Sequence, residues 1–140
     1  MRRGITALAV TTCVLVLVAG CRSTAPTEEV WNHAFTTNSA VISGEERPLA
    51  STLTLTFTAD GVSARAGCNT MFGPVTLDGA TLTTTSPLGM TMMACDPALM
   101  DQDQWIADFL SSRPAWKRDG ANLILTSADT VLVLTDASSA

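Results

Sequence analysis

Ser51-Thr52-Leu53-Thr54-Leu55-Thr56-Phe57-Thr58 runs directly into Ala59-Asp60-Gly61. Leu53, Leu55 and Phe57 alternate strictly with threonine, the period-two pattern of a strand with one face on a core and the other in water. Asp60-Gly61 tolerates positive φ and predicts a tight hairpin. The returning segment carries Val62, Ala64, Ala66 and Cys68 on one face, a parity that aims Cys68 at the core.

Working outward, two more Asp-Gly pairs punctuate the chain. Asp78-Gly79 separates Val75-Thr76-Leu77 from Ala80-Thr81-Leu82-Thr83, and Asp119-Gly120 separates Trp116-Lys117-Arg118 from Leu123-Ile124-Leu125. Val30-Trp31 and Phe35 read as a short first strand with Trp31 as a core anchor. Val131-Leu132-Val133-Leu134 reads as a last strand buried on both faces or nearly so. One segment has helical spacing: Asp96 is a suitable N-cap and Pro97 a suitable first residue, with Leu99, Trp105, Ile106, Phe109 and Leu110 along the apolar stripe. Pro114 ends it near Ser111-Ser112. These elements predict an α+β domain: about eight short strands in a strongly curved antiparallel sheet or partial barrel, with one helix packed over it.

The chain begins with Arg2-Arg3, an apolar run from Ile5 to Val18, and Leu17-Val18-Ala19-Gly20-Cys21. The run is short for a bilayer span and has the layout of an export signal. The small residues before Cys21 resemble the lipobox of bacterial lipoproteins. That resemblance implies removal of residues 1–20 and a diacylglycerol-modified Cys21 at the mature N-terminus, since two or more acyl chains anchor stably where one binds reversibly. Cys13 lies in the discarded segment. Arg22 to Glu29 carries no large apolar side chain and reads as a tether spanning roughly 28 Å when extended. The organisation expected is therefore signal 1–20, lipidated N-terminus and tether 21–29, domain 30–135 and tail 136–140.

The mature portion has 120 residues, enough for one core, with 6 basic and 13 acidic residues. A net charge near −7 provides no basic stripe for phosphates, so nucleic acid is not an expected partner. Anionic head groups would repel the domain, leaving the acyl chains as its membrane contact.

Gly67-Cys68-Asn69, Phe72-Gly73, Thr91-Met92-Met93-Ala94-Cys95, an amphipathic helix ending in Phe109-Leu110, and Leu123 to Leu134 together resemble the META domain, the family of HslJ-type heat-inducible envelope proteins. The resemblance covers roughly Val30 to Thr135. Gly67, Asn69, Gly73, Thr91, Met93 and Ala94 carry its motif, with the two cysteines. The chain departs from it at Pro74-Val75, where many members have an aromatic residue, and at Asp101 and Asp103, where the helix usually begins with Glu. The resemblance implies fold and location more than a molecular activity, with loose links to envelope stress and drug tolerance.

Cys68 and Cys95 enclose 28 residues counting both ends. Export to an oxidising compartment favours a disulfide between them, which would contribute about 3 to 4 kcal/mol on the chain-entropy model. Two free thiols or a metal pair are the alternatives. Met90, Met92 and Met93, with Met71, cluster near Cys95. Thioethers suit Cu(I), and Met90 and Met92 would share a strand face, whereas methionine also fills irregular core gaps. His33 is the only histidine, so neither a zinc-hydrolase set nor a Ser-His-Asp triad is formed, and no Gly-x-Ser-x-Gly elbow exists. Asp96, Asp101, Asp103 and Asp108 read as a cap and a solvated helix face, without calcium-loop spacing. Asn69 and Gly73 read as turn-forming residues before ligand-binding ones. The sequence points to a monomeric, lipid-anchored, extracytoplasmic module that acts without catalysis or cofactor on an envelope protein or cell-wall partner. Soft-metal or small-ligand binding through Met90 and Met92 is the alternative.

Overall fold

The computed structural model describes residues 30–138. The signal, Cys21, the tether and the last two residues lie outside the described residues. Ten strands form one antiparallel sheet: β1 (Ala34–Ile42), β2 (Glu45–Thr58), β3 (Gly61–Arg65), β4 (Thr70–Gly73), β5 (Val75–Asp78), β6 (Thr81–Thr84), β7 (Gly89–Met90), β8 (Ala115–Asp119), β9 (Asn122–Ser127) and β10 (Thr130–Asp136). The single helix, α1 (Pro97–Ser111), lies between β7 and β8.

Strand order across the sheet is β5-β6-β8-β9-β10-β1-β2-β3-β4-β7. Only Pro74 separates β4 from β5, although the two stand near opposite ends of that order. A flat sheet could not satisfy both facts, so the sheet curls into a half-barrel, as the α+β reading expects. Proline lacks an N–H to give either ladder, which suits the residue that leaves one and joins the other.

All three Asp-Gly hairpins form. Thr58 pairs with Gly61, Asp78 with Thr81 and Asp119 with Asn122, leaving two-residue loops. Leu53, Leu55 and Phe57 are completely buried, and Val62, Ala64 and Ala66 line the same interior. Each large side chain so buried contributes roughly 1.5–3 kcal/mol. From the helix, Ile106, Phe109 and Leu110 close the core.

β2 is longer than the alternating stretch, because its pairing with β1 jumps from Leu53 to Pro48 and leaves residues 49–52 bulged. The helix meets that bulge with Gln102, whose Oε1 accepts from Ala50 N at 2.6 Å and whose Nε2 donates to Ser51 O at 2.9 Å and to Ala66 O. Backbone groups that the ladder cannot serve are thereby satisfied by one buried amide.

Four expectations change. Val30-Trp31 is a turn, not a strand: Asn32 adopts φ 64°, its N–H bonds Phe57 O at 2.9 Å, and Val30 is the buried anchor while Trp31 lies edge-on to Phe57. The last strand is buried on one face only, with Val133 42% exposed, because the helix covers just the inner side of the sheet. β3 ends at Arg65, so the parity expected to carry Cys68 inward does not extend that far, and Cys68 is half-buried. Residues 136–138 are not a free tail: Asp136 completes β10, Ala137 N bonds Ala34 O and Ala34 N bonds Ser138 Oγ, both at 2.7 Å.

Asp136 anchors that end of the barrel. Its side chain is only 4% exposed, and Oδ2 accepts from Arg118 and His33 at 2.7 Å each while Oδ1 accepts from Ser138 N–H at 2.8 Å. The Arg118 guanidinium lies 4.6 Å above the Phe35 ring. Burial opposes ionisation of Asp136, but the hydrogen bonds from Arg118, Ser138 and His33 outweigh it and hold the pKa at about 2. A carboxyl depressed on folding stabilises above its unfolded value of 3.8 and loses that contribution as pH falls toward 2. Urea unfolding should therefore show stability declining from about pH 5 to pH 2, and Asp136→Asn should be less stable at pH 7 with a flatter profile in that window. An unchanged profile in the variant would remove Asp136 as its source.

Candidate functional site

Between β3 and β4 the chain passes Gly67, Cys68 and Asn69 directly beneath the first turns of α1. A Cβ at Gly67 would collide with the Leu99 carbonyl, so the close approach of strand connection and helix requires glycine there. Asp103 then reaches down from the helix. Its Oδ2 accepts from Cys68 N at 3.1 Å, Asn69 N at 2.7 Å and Asn69 Nδ2 at 3.2 Å. The residue is 1% exposed, and its Oδ1 has no hydrogen-bond partner.

Asn69, 6% exposed, turns the other edge of its amide toward the segment after β7. Oδ1 accepts from Met93 N at 2.7 Å and from Thr91 Oγ1 at 3.0 Å, and Nδ2 also donates to Met93 O at 3.4 Å. Thr91 returns the favour on the main chain: Thr70 N donates to its Oγ1, and Thr91 N donates to Thr70 O. Beside this network Cys68 and Cys95 form a disulfide with Cα atoms 6.1 Å apart. The bridge ties Cys95, one residue before the helix N-cap, to the strand connection, while Asn69 holds the peptide groups on both sides of Met93.

Gly67, Cys68, Asn69, Thr91, Met93 and Cys95 thus come together. Ala94 sits beside them but is exposed, and Gly73 stands apart, packed against Leu88 where a Cβ would approach Leu88 Cδ2 to 2.9 Å. Neither Asn69 nor Gly73 supplies the positive φ expected of it, although Asn69 ends the bend at 67–69. Asn69 is a buried side-chain bracket. Asp103 corrects the reading of a solvated acidic face, although Asp101 and Asp108 are exposed as expected. Asp96 precedes the helix, yet its side chain makes no cap bond; its carbonyl accepts from Leu99 N and Met100 N. Being polar, Gln102 gives no core signal in the sequence and Asp103 reads as solvated. Position alone would have found them, since 99, 102, 103, 106, 109 and 110 form one helical stripe.

The methionines divide into two sets. Met71 is completely buried in the core. Met90, Met92, Met93 and Met100 line a groove of about 370 Å³ between the segment after β7 and α1, with Asn69 and Asp103 in its walls. Met92 is 91% exposed, Met93 61% and Met100 44%, so these thioethers do not fill core gaps. Among the described residues no three His, Cys, Asp or Glu side chains gather to hold a metal ion.

A curled antiparallel sheet closed by one helix, with helix and sheet clamped by a disulfide and a buried Asp-Asn pair, defines a small α+β domain whose open feature is a thioether-lined groove. The family model of the META domain matches residues 28–139, and the chain belongs to that family. An NMR structure of a protein from Burkholderia xenovorans is similar, with a TM-score of 0.67 and 18% identity over 94% of this chain and 99% of that one. A second NMR structure has a TM-score of 0.66 and 25% identity over 83% of this chain and 97% of that one. No curated protein matches the chain.

Replacing Asn69 leaves the Met93 N–H and the Thr91 hydroxyl without their acceptor and takes one of three donors from Asp103 Oδ2. Asn69→Ala should lower the unfolding free energy by about 1–3 kcal/mol in urea titrations, the cost of buried groups left unpaired. A loss below about 0.5 kcal/mol would mean water replaces the amide without penalty.

Proposed function

We propose that this chain is a lipid-anchored, extracytoplasmic META-domain lipoprotein that serves as a non-catalytic binding or stress-protection module of the cell envelope, meeting a protein or cell-wall partner. The observation that carries the reading is the groove: Met92, Met93 and Met100 are held at the surface beside a rigid clamp, and adaptable thioethers that packing does not use suit a recognition surface. The Cys68–Cys95 bridge supports residence in an oxidising compartment. The apolar run before Cys21 supports the anchor. No helix of the described residues is long and apolar enough to cross a membrane.

Intact mass of protein extracted from membranes in mild detergent, without reductant, tests this. A chain beginning at acylated Cys21 and two hydrogens short is expected, and Cys21→Ser should abolish both modification and processing. An unacylated chain starting elsewhere would overturn the anchor.

The exposure of Met92 also favours a second reading, a soft-metal site that takes Cu(I) through thioether sulfur. Under it, Met90→Leu combined with Met92→Leu abolishes Cu(I) uptake with the fold intact. Uptake that persists in the double variant would exclude those two ligands.

A further inference from the structure

Asp103 is the only charged residue in the groove lining, and the lining Gln104 donates to the carboxylate of Asp108 at 2.9 Å. From Ala66 through Ser112 the sequence has no lysine, arginine or histidine, while it has Asp78, Asp96, Asp101, Asp103 and Asp108. Every residue lining the groove belongs to that stretch. Asp103 in its wall keeps one carboxylate oxygen unpaired at 1% exposure. The groove therefore combines apolar, deformable walls with a carboxylate and no cation in its lining.

Its strand-side wall is also a sheet edge. β7 is the last strand in the order, paired only with β4. Beyond it, Thr91 N–H and the Met93 peptide groups turn inward to Thr70 and Asn69. The intervening Met92 main chain takes part in none of these hydrogen bonds, and its side chain is the most exposed of the large apolar residues. An unpaired main-chain edge flanked by side-chain contacts is how extended peptides are received by strand addition.

Resting on the binding-module reading above, we propose that the partner is an extended polypeptide segment in which lysine or arginine alternates with apolar residues. Its main chain runs along Met90 to Met93, its apolar side chains enter among Met92, Met93 and Met100, and its cations face the acidic helix. Opposite charge draws such a segment in and thioether flexibility fits it, whereas an acidic or purely polar segment lacks one or both.

The test is NMR of the oxidised domain labelled with 13C at the methionine methyls, titrated with three synthetic heptapeptides: alternating Lys-Val, alternating Lys-Ser and alternating Glu-Val. The Lys-Val peptide should shift the methyls of Met90, Met92, Met93 and Met100 saturably while that of Met71 stays in place. The Lys-Ser peptide of equal charge should bind at least 10-fold more weakly, and Glu-Val should not bind. Met92→Ser with Met93→Ser should weaken Lys-Val binding at least 10-fold while amide dispersion is retained. Equal binding of the two lysine peptides would reduce the effect to bulk charge and overturn the proposal, as would shifts located elsewhere. Saturation of these methyls by Ag(I), with no response to Lys-Val, would replace the peptide site with a metal site. An unacylated Cys21 would remove the membrane reading and leave this one standing.

Discussion

A single buried carboxylate organises the functional end of this domain. Asp103 Oδ2 gathers the main-chain N–H groups of Cys68 and Asn69 and the Asn69 amide from inside the protein, where charge-assisted hydrogen bonds are strong and a missing partner is costly. Everything beyond it depends on that grip. Asn69 is oriented by Asp103, Met93 and Thr91 are oriented by Asn69, and Asn69, Met93 and Asp103 all line the groove. Gly67 allows the helix to come close enough for the carboxylate to reach.

Two further devices let one helix cover a ten-stranded sheet. Gln102 serves the backbone of the β2 bulge, so the irregularity that bends the sheet becomes the place where the helix docks. Pro74 carries the chain from β4 to β5, which forces the curl. The disulfide then acts mainly on the unfolded chain, whose freedom it restricts, while the hydrogen bonds define the native geometry around it.

Much of the fold was legible because it rests on period and punctuation. Leu53, Leu55 and Phe57 announced their strand, the Asp-Gly pairs announced three hairpins, and Pro97 and Pro114 bracketed the helix at its observed limits. The cysteine pair and the motif around it were also readable. What escaped was the role of polar residues inside. Asp103 and Gln102 are chemically at home in water, and only the pairing partners that the fold brings to them, some thirty to fifty residues away in sequence, make burial favourable. Asn69 was misread for the same reason, since its preference for turns is local and its four bonds are not. The division of the methionines into core and groove likewise depends on where α1 lies, which periodicity alone does not reveal.

The Asp103–Asn69 hydrogen bonds, not the covalent bridge, set the geometry of the groove wall. Amide hydrogen exchange of Asn69 and Met93, measured before and after reduction of Cys68–Cys95 under conditions where the domain stays folded, tests this directly. If those hydrogen bonds set the geometry, both amides remain slow to exchange in the reduced protein, as slow as before reduction. Collapse of their protection on reduction, with the rest of the sheet still protected, would contradict it and make the disulfide the source of the site.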